Sequence, residues 1–441
     1  MSFENVADVY TLSPMQEGML FHALSEELER GVYVDQISHR IEGASFDVER
    51  FQRAWRRLVE RHAALRTAFL WDGLDEPLQI VRGAVEMAWN LDDWRRIEEP
   101  EVTWSELILE DRARGFALED APLARMTLRR VGETSWLWLW SFHHLILDGW
   151  SARLLLAELE ELYRRDGSGD GGGPAGVEPP FDFKRYIAWL SERDRGAAES
   201  FWRAELEGFS KPTRLDAYRA PGGGRKIQPR GPGQESRSLE AHETRALEAF
   251  ARSQRVTLAT VLQGSWALLL SRYARERDVV FGVTSAGRPP ELDGILSAVG
   301  LFIDTSPRRV RIDPQAAVGD WLRRLQSRQL AARPYEFASM AAIQKWSELP
   351  AAEALFDHIV VIENHPEGAG GEERALELSR PDFHEQSNYP LALLLVPGER
   401  LEILAIAEEA RFPKAFVGRI LDHWCRLLGA LASRGGDAAL A

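Results

Sequence analysis

Adjacent imidazoles, His143 and His144, are followed by a carboxylate, Asp148, and then by Gly149. Within one short span these residue types make a catalytic layout that could move protons. An imidazole titrates near neutral pH and can take and return a proton within one turnover. The group follows a strand-like run, Trp136-Leu-Trp-Leu-Trp140, and precedes a helix-like one, Leu154 to Tyr163. Consecutive strand residues point to opposite faces, so a strand that runs through both histidines leaves one catalytic and one structural. Asp148 lies past the strand end, where a buried aspartate needs a cation, with arginine the usual partner. Gly149 then permits a backbone turn closed to other residues. Paired histidines can also hold a metal, but no further His, Cys or carboxylate stands nearby at ligand spacing, so no metal is expected.

The elements that must position this group can be read in order. Ser13 followed by Pro14 is a helix N-cap with proline at the first helical position, and Gln16 occupies the capping-box position. Val34, Gln36, Ser38 and Arg40 alternate against Tyr33, Ile37 and Ile41 in a strand, and Phe51, Trp55, Leu58 and Val59 share a helix face. Residues 65–71 and 78–81 read as a hairpin, 104–114 as a helix and 123–129 as a strand. Tryptophans 136, 138 and 140 alternate with Leu137 and Leu139, which predicts a strand inside a sheet, apolar on both faces. The Gly- and Pro-rich stretch 167–180 is the clearest boundary, dividing 1–166 from 181–441. A second gap runs from Pro221 to Gly233. Helices are expected at 183–190, 240–252, 258–273 and 314–331, and strands at 278–284, 356–362, 391–396 and 401–406. Two α/β lobes of related plan follow from this alternation.

Composition narrows the partners. The chain has 441 residues, past the size at which a single core stops growing. A net charge of −14 argues against nucleic acid and anionic membrane. The single cysteine, Cys425, excludes an internal disulfide and fits a reducing compartment, where a buried thiol is its expected role. With no apolar run of spanning length and no signal-peptide pattern at Met1-Ser-Phe-Glu-Asn, a soluble, cytoplasmic and monomeric protein is expected.

His143-His-Leu-Ile-Leu-Asp-Gly149 on a chain of this plan resembles the condensation domain of nonribosomal peptide synthetases. The likeness extends to Leu12-Ser-Pro-Met-Gln-Glu-Gly-Met-Leu-Phe21, Arg61-His-Ala-Ala-Leu-Arg-Thr-Ala-Phe69, the segment 278–289, Val299-Gly-Leu-Phe-Ile-Asp-Thr305 and Ile362-Glu-Asn-His-Pro366. Two departures stand out: Asp304 where the family usually has asparagine, and a loose closing signature at Glu408-Glu-Ala-Arg-Phe412. The resemblance implies two chloramphenicol acetyltransferase-like lobes with mixed sheets and packed helices, forming a V-shaped pseudo-dimer around a central cleft. Heterocyclising relatives replace the two histidines by aspartates, which argues against cyclisation here. The epimerising signature is also unmatched at Glu363-Asn-His-Pro-Glu-Gly368.

The implied reaction is attack of an amine on a thioester, with donor and acceptor on 4'-phosphopantetheine arms of upstream and downstream carrier domains, or with coenzyme A carrying the donor. An adjacent adenylation domain is the further expected partner, and no tightly bound cofactor is expected. By resemblance, His144 stands at the reacting amine as general base or orienter, and the Gly149 N–H approaches the thioester oxygen. His143 is structural, and Asp148 pairs with Arg288 or Arg66. Trp150, Ser151, Met15, Ser285 and Gly287 are expected along a substrate tunnel. The opening motif resembles that of domains taking a D-configured donor and an L-configured acceptor, while Met1 only a few residues before it suits a starter domain acylating the first amino acid. A stand-alone acyl-CoA-dependent acyltransferase and an inactive docking domain are the rival readings.

Overall fold

The computed structural model describes residues 5–24, 31–167, 180–215, 233–350, 353–363, 375–379, 381–384, 388–434, 436 and 438–440. The chain divides into two compact units. The first comprises Met1–Arg193, Arg288–Ile303 and Pro366–Gln386, and the second Asp194–Gly287, Asp304–His365 and Ser387–Ala441.

The first unit is built on the strand Ser135–His143, which pairs antiparallel with Val34–Glu42 on one side and Ala124–Arg130 on the other. Ala88–Asp93 adds a parallel edge strand, and the short strands Glu377–Leu378 and Asp382–His384 pair with the far side of Val34–Glu42. Trp138 and Trp140 pack on the helix Val48–Arg61, with the Trp140 ring 4.9 Å from Trp55 and the Trp138 ring 5.1 Å from Phe51. On the opposite face, Leu137 and Leu139 join Trp104 and Ile108 of the helix Pro100–Arg114. The strand is buried on both sides, as its alternating tryptophans and leucines require. A separate small antiparallel sheet joins Val6–Thr11, Leu78–Arg82 and Thr67–Leu70.

The second unit has a six-stranded sheet in the order Asp304–Arg311, Asp278–Ser285, His358–Ile362, Leu391–Val396, Glu402–Ala407, Gly233–Ser238. Its middle pairings are parallel and the others antiparallel. Ala241–Gln254, Leu258–Ala274, Val318–Ala332 and Lys414–Arg434 pack against one core cluster. Arg195–Leu206 and Met340–Trp346 contribute to another. Cys425 is half-buried against the first of these cores, and burial pushes its thiol pKa up.

The units differ from the division expected at 167–180. Only Gly167 and Pro180 of that stretch fall within the described residues, as does only Gly233 of the gap from Pro221. The first unit continues through the helix Phe183–Ser191 and takes back two later stretches of chain. The physical cause is bonding that composition does not display: Arg288–Ile303 is held by Asp148 and Ser151, and the strands near 380 complete a sheet edge.

The strand Asp304–Arg311 contains Pro307, Arg308 and Arg309, which by propensity read as loop. Its edge position tolerates the proline. The buried arginines are paired, Arg309 with Asp278 at 2.7 Å and Arg308 with Glu336 at 3.0 Å. At its start, burial and the nearby Glu336 carboxylate push the Asp304 carboxyl up to about 8. An acid raised in the folded state is tolerated while protonated. Its cost is absent below the unfolded value of 3.8 and grows as pH climbs to about 8. Asp304→Asn, neutral at all pH, is therefore expected to melt like the wild type near pH 4 and increasingly above it toward pH 8. The gap should widen by at most about 1.4 kcal/mol per pH unit. Equal melting temperatures at both ends of that range would refute this.

Candidate active site

The strand Ser135–His143 ends where its last backbone bonds are made: the His143 N–H donates to Leu123 O at 2.9 Å and the His144 N–H to Tyr33 O at 2.7 Å. His143 lies opposite Val34, on the strand face shared by Ser141 and Gln36. Its ring is 3 % exposed, lies edge-on to Phe116, and accepts the Leu145 N–H at Nδ1 (3.2 Å). Burial, helped by the neighbouring His144, pushes its pKa down to about 3, so it is neutral at ordinary pH.

His144 has a different environment. Its side chain is 20 % exposed, and Nδ1 lies 2.6 Å from Leu147 O. A carbonyl oxygen only accepts, so this contact assigns the proton to Nδ1 and leaves the lone pair of the neutral ring on Nε2. No protein group among the described residues bonds that Nε2. Asp35 Oδ2 lies 3.4 Å from Nδ1.

Asp148 organises the loop. Its Oδ1 accepts the Ser151 N–H at 2.7 Å, capping the helix Gly149–Gly167, and its Oδ2 accepts the Phe302 N–H at 3.0 Å. Arg288 Nη2 lies 3.2 Å from Oδ1, and the two side chains are 2 % and 0 % exposed. Arg288 also donates to Ser151 Oγ (2.9 Å) and to the carbonyls of Ile295 and Ala298. Its guanidinium lies 4.3 Å from the Phe302 ring centre, a cation–π contact. Ser151 in turn exchanges bonds with Gly300, donating to its carbonyl and accepting its N–H. A Cβ at Gly300 would stand 2.6 Å from the Phe183 ring, so that approach needs glycine.

Of the two arginines open as partners of Asp148, Arg288 makes the pair. Arg66 instead donates to the carbonyls of Val59, Glu60, Arg82 and Gly83, tying a helix end to a strand end. Gly149 also departs from expectation: it takes no positive φ but begins the helix, and it is exposed. The first N–H groups of a helix lack intrahelical partners, so the glycine offers a donor at the positive end of the helix dipole.

Among the tunnel candidates, Ser151 is fully buried with its hydroxyl engaged, which leaves it a structural part. Trp150 donates to Leu296 O and lies over Arg288, and Met15 packs partly buried against the core. Ser285 and Gly287 belong to the second unit.

Two contributors have no clear mark in the sequence. Gln16, recognisable there only as a cap, also donates to Leu145 O at 3.1 Å and so ties the opening helix to the histidine loop. Asp35 shares the strand parity of Tyr33, Ile37 and Ile41, and an acid among those apolar positions was the available signal. Among the described residues no group of three or more His, Cys, Asp or Glu is placed to hold a metal ion, and no helix is long and apolar enough to cross a membrane.

The sequence matches the Condensation domain family over residues 6–438. It is 41 % identical over 437 residues to one of the linear gramicidin synthase proteins of Brevibacillus parabrevis, covering 97 % of this chain and 6 % of that protein. It is 34 % identical over 430 residues to surfactin synthase subunit 3 of Bacillus subtilis (strain 168), covering 95 % of this chain and 32 % of that protein. The chain thus spans a small part of the length of these relatives. Among solved structures, the first condensation domain of the calcium-dependent antibiotic synthetase, in complex with a substrate analogue, superposes with a TM-score of 0.80 at 18 % identity, over 98 % of each chain. A mutant of the starter condensation domain of rhizomide synthetase with C8-CoA gives 0.80 at 19 % identity, over 98 % of this chain and 97 % of that one. At such identities these structures speak to the fold, which is shared. The chain belongs to the condensation-domain family of the nonribosomal peptide synthetases.

Proposed function

We propose that this chain joins an acyl or peptidyl donor, held as a thioester, to the amine of an aminoacyl acceptor on a carrier domain, forming an amide bond. The observation that carries the reading is the His144 ring: Nδ1 is fastened to Leu147 O, and Nε2 keeps its lone pair on a side chain that is partly exposed. The acceptor's amine nitrogen attacks the thioester carbonyl carbon, forming the C–N bond and placing negative charge on oxygen. His144 Nε2 accepts the proton that the nitrogen sheds, and the Gly149 N–H, at the helix start, donates to the oxyanion. Collapse breaks the C–S bond, and the departing thiolate takes the proton back from the imidazolium. Both thioesters would end 4'-phosphopantetheine arms of carrier domains, with an adenylation domain loading the acceptor, and the arms enter as substrates.

Carrier dependence tests this. With aminoacyl-carrier as acceptor and acyl- or peptidyl-carrier as donor, product should appear on the acceptor carrier. Turnover of soluble acyl-CoA with a free amine, at the same rate with and without carriers, would instead fit a stand-alone acyltransferase.

A further inference from the structure

We propose that Asp35 is a positioning residue for His144, its carboxylate set beside Nδ1 to stabilise the imidazolium that forms when Nε2 takes the proton. This rests on the reading of His144 given above.

Asp35 belongs to the strand Val34–Glu42 and lies directly opposite Phe142, two residues before His144. Its side chain is 13 % exposed and its Oδ2 lies 3.4 Å from His144 Nδ1. Leu147 O, on the same nitrogen at 2.6 Å, fixes the N–H so that the carboxylate faces the charged edge of the ring.

Other acids of this unit are differently provided for. Asp148 collects two backbone N–H groups and Arg288. Asp111 collects Gln36, Ser141, Arg114 and Arg125. Both are fully provided for, as buried charges must be. Asp35 stands one residue before Gln36, yet the group within ion-pair distance of it, among the described residues, is His144. Burial pushes its pKa up, opposed by the charges of His144 and of Arg112 on the helix Pro100–Arg114. A neutral residue would fill this strand position at less cost. What the carboxylate adds is a charge that turns favourable when the ring beside it becomes an imidazolium. Its worth therefore falls in the transition state, where an interaction raises turnover rather than binding.

The test is a double-mutant cycle on carrier-bound substrates. Asp35→Asn should lower kcat about tenfold or more, less than the loss of the base itself, with KM for the aminoacyl carrier unchanged. Asp35→Glu should recover part of that loss. In a His144→Ala background, Asp35→Asn should cost nothing further, because its effect passes through the ring. Wild-type kcat in Asp35→Asn, or the same fractional loss with and without His144, would overturn the inference. Should Asp35→Asn not fold, Asp35→Ala in the same cycle measures the same coupling. Wild-type turnover in His144→Ala alone would instead remove the functional reading on which the inference rests.

Discussion

Replacing His144 by alanine is expected to slow amide formation about 10²- to 10⁴-fold, the usual worth of a positioned general base. The melting temperature should hardly move. The ring is 20 % exposed, and its protein hydrogen bond is to the Leu147 carbonyl, which water can serve once the ring is gone. Loss of rate without loss of fold is what separates a catalytic imidazole from a core one. His143→Ala provides the contrast: that ring is 3 % exposed and its Nδ1 holds the Leu145 N–H, so its removal should lower stability as well as rate. Single-turnover rates set beside thermal melts check both halves.

The second large effect is structural. Arg288→Ala is expected to destabilise the first unit by about 3–5 kcal/mol, because Asp148 would keep a charge with no cation in a site closed to water. The carboxylate is 0 % exposed, and Arg288 also serves the carbonyls of Ile295 and Ala298; Ile295 O would keep the Ala298 N–H, while Ala298 O would lose this donor. Asp148→Asn should also be costly, since each carboxylate oxygen accepts a backbone N–H and an amide NH₂ cannot accept one. Combining the two changes should cost less than the sum of the single ones, as for partners in one network. Denaturant unfolding followed by tryptophan fluorescence measures this. An Arg288→Ala chain as stable as the wild type would show that the pair does not hold the loop.

Local signals made much of this site legible. The Trp–Leu alternation at 136–140 gives a strand with two buried faces, and that strand delivers two histidines with different surroundings. Ser13, Pro14 and Gln16 announce a capped helix, and the capping box is formed. Helix ends were less visible: the helix expected from Leu154 begins at Gly149, because Asp148 caps it and carries it five residues closer to the histidines. What stayed hidden depends on residues far apart in the chain. Asp35 meets His144 across a strand pairing, Arg288 reaches Asp148 over 140 positions, and Asp382–His384 joins a strand formed by residues 34–42. None of these has a periodicity to read. The strand Asp304–Arg311 was missed for another reason: its arginines are buried through partners on other elements, which local propensity cannot register.

The proposed reaction moves an acyl group from one thioester to the amine of another substrate. The most direct measurement is the intact mass of the acceptor carrier after the chain is mixed with acyl-carrier donor and aminoacyl-carrier acceptor. The predicted result is an acceptor heavier by the acyl group and a donor carrier returned with a free thiol. The transfer should be lost with His144→Ala. An acceptor of unchanged mass beside a donor thioester that is merely hydrolysed, or an equal mass gain with His144→Ala, would contradict it.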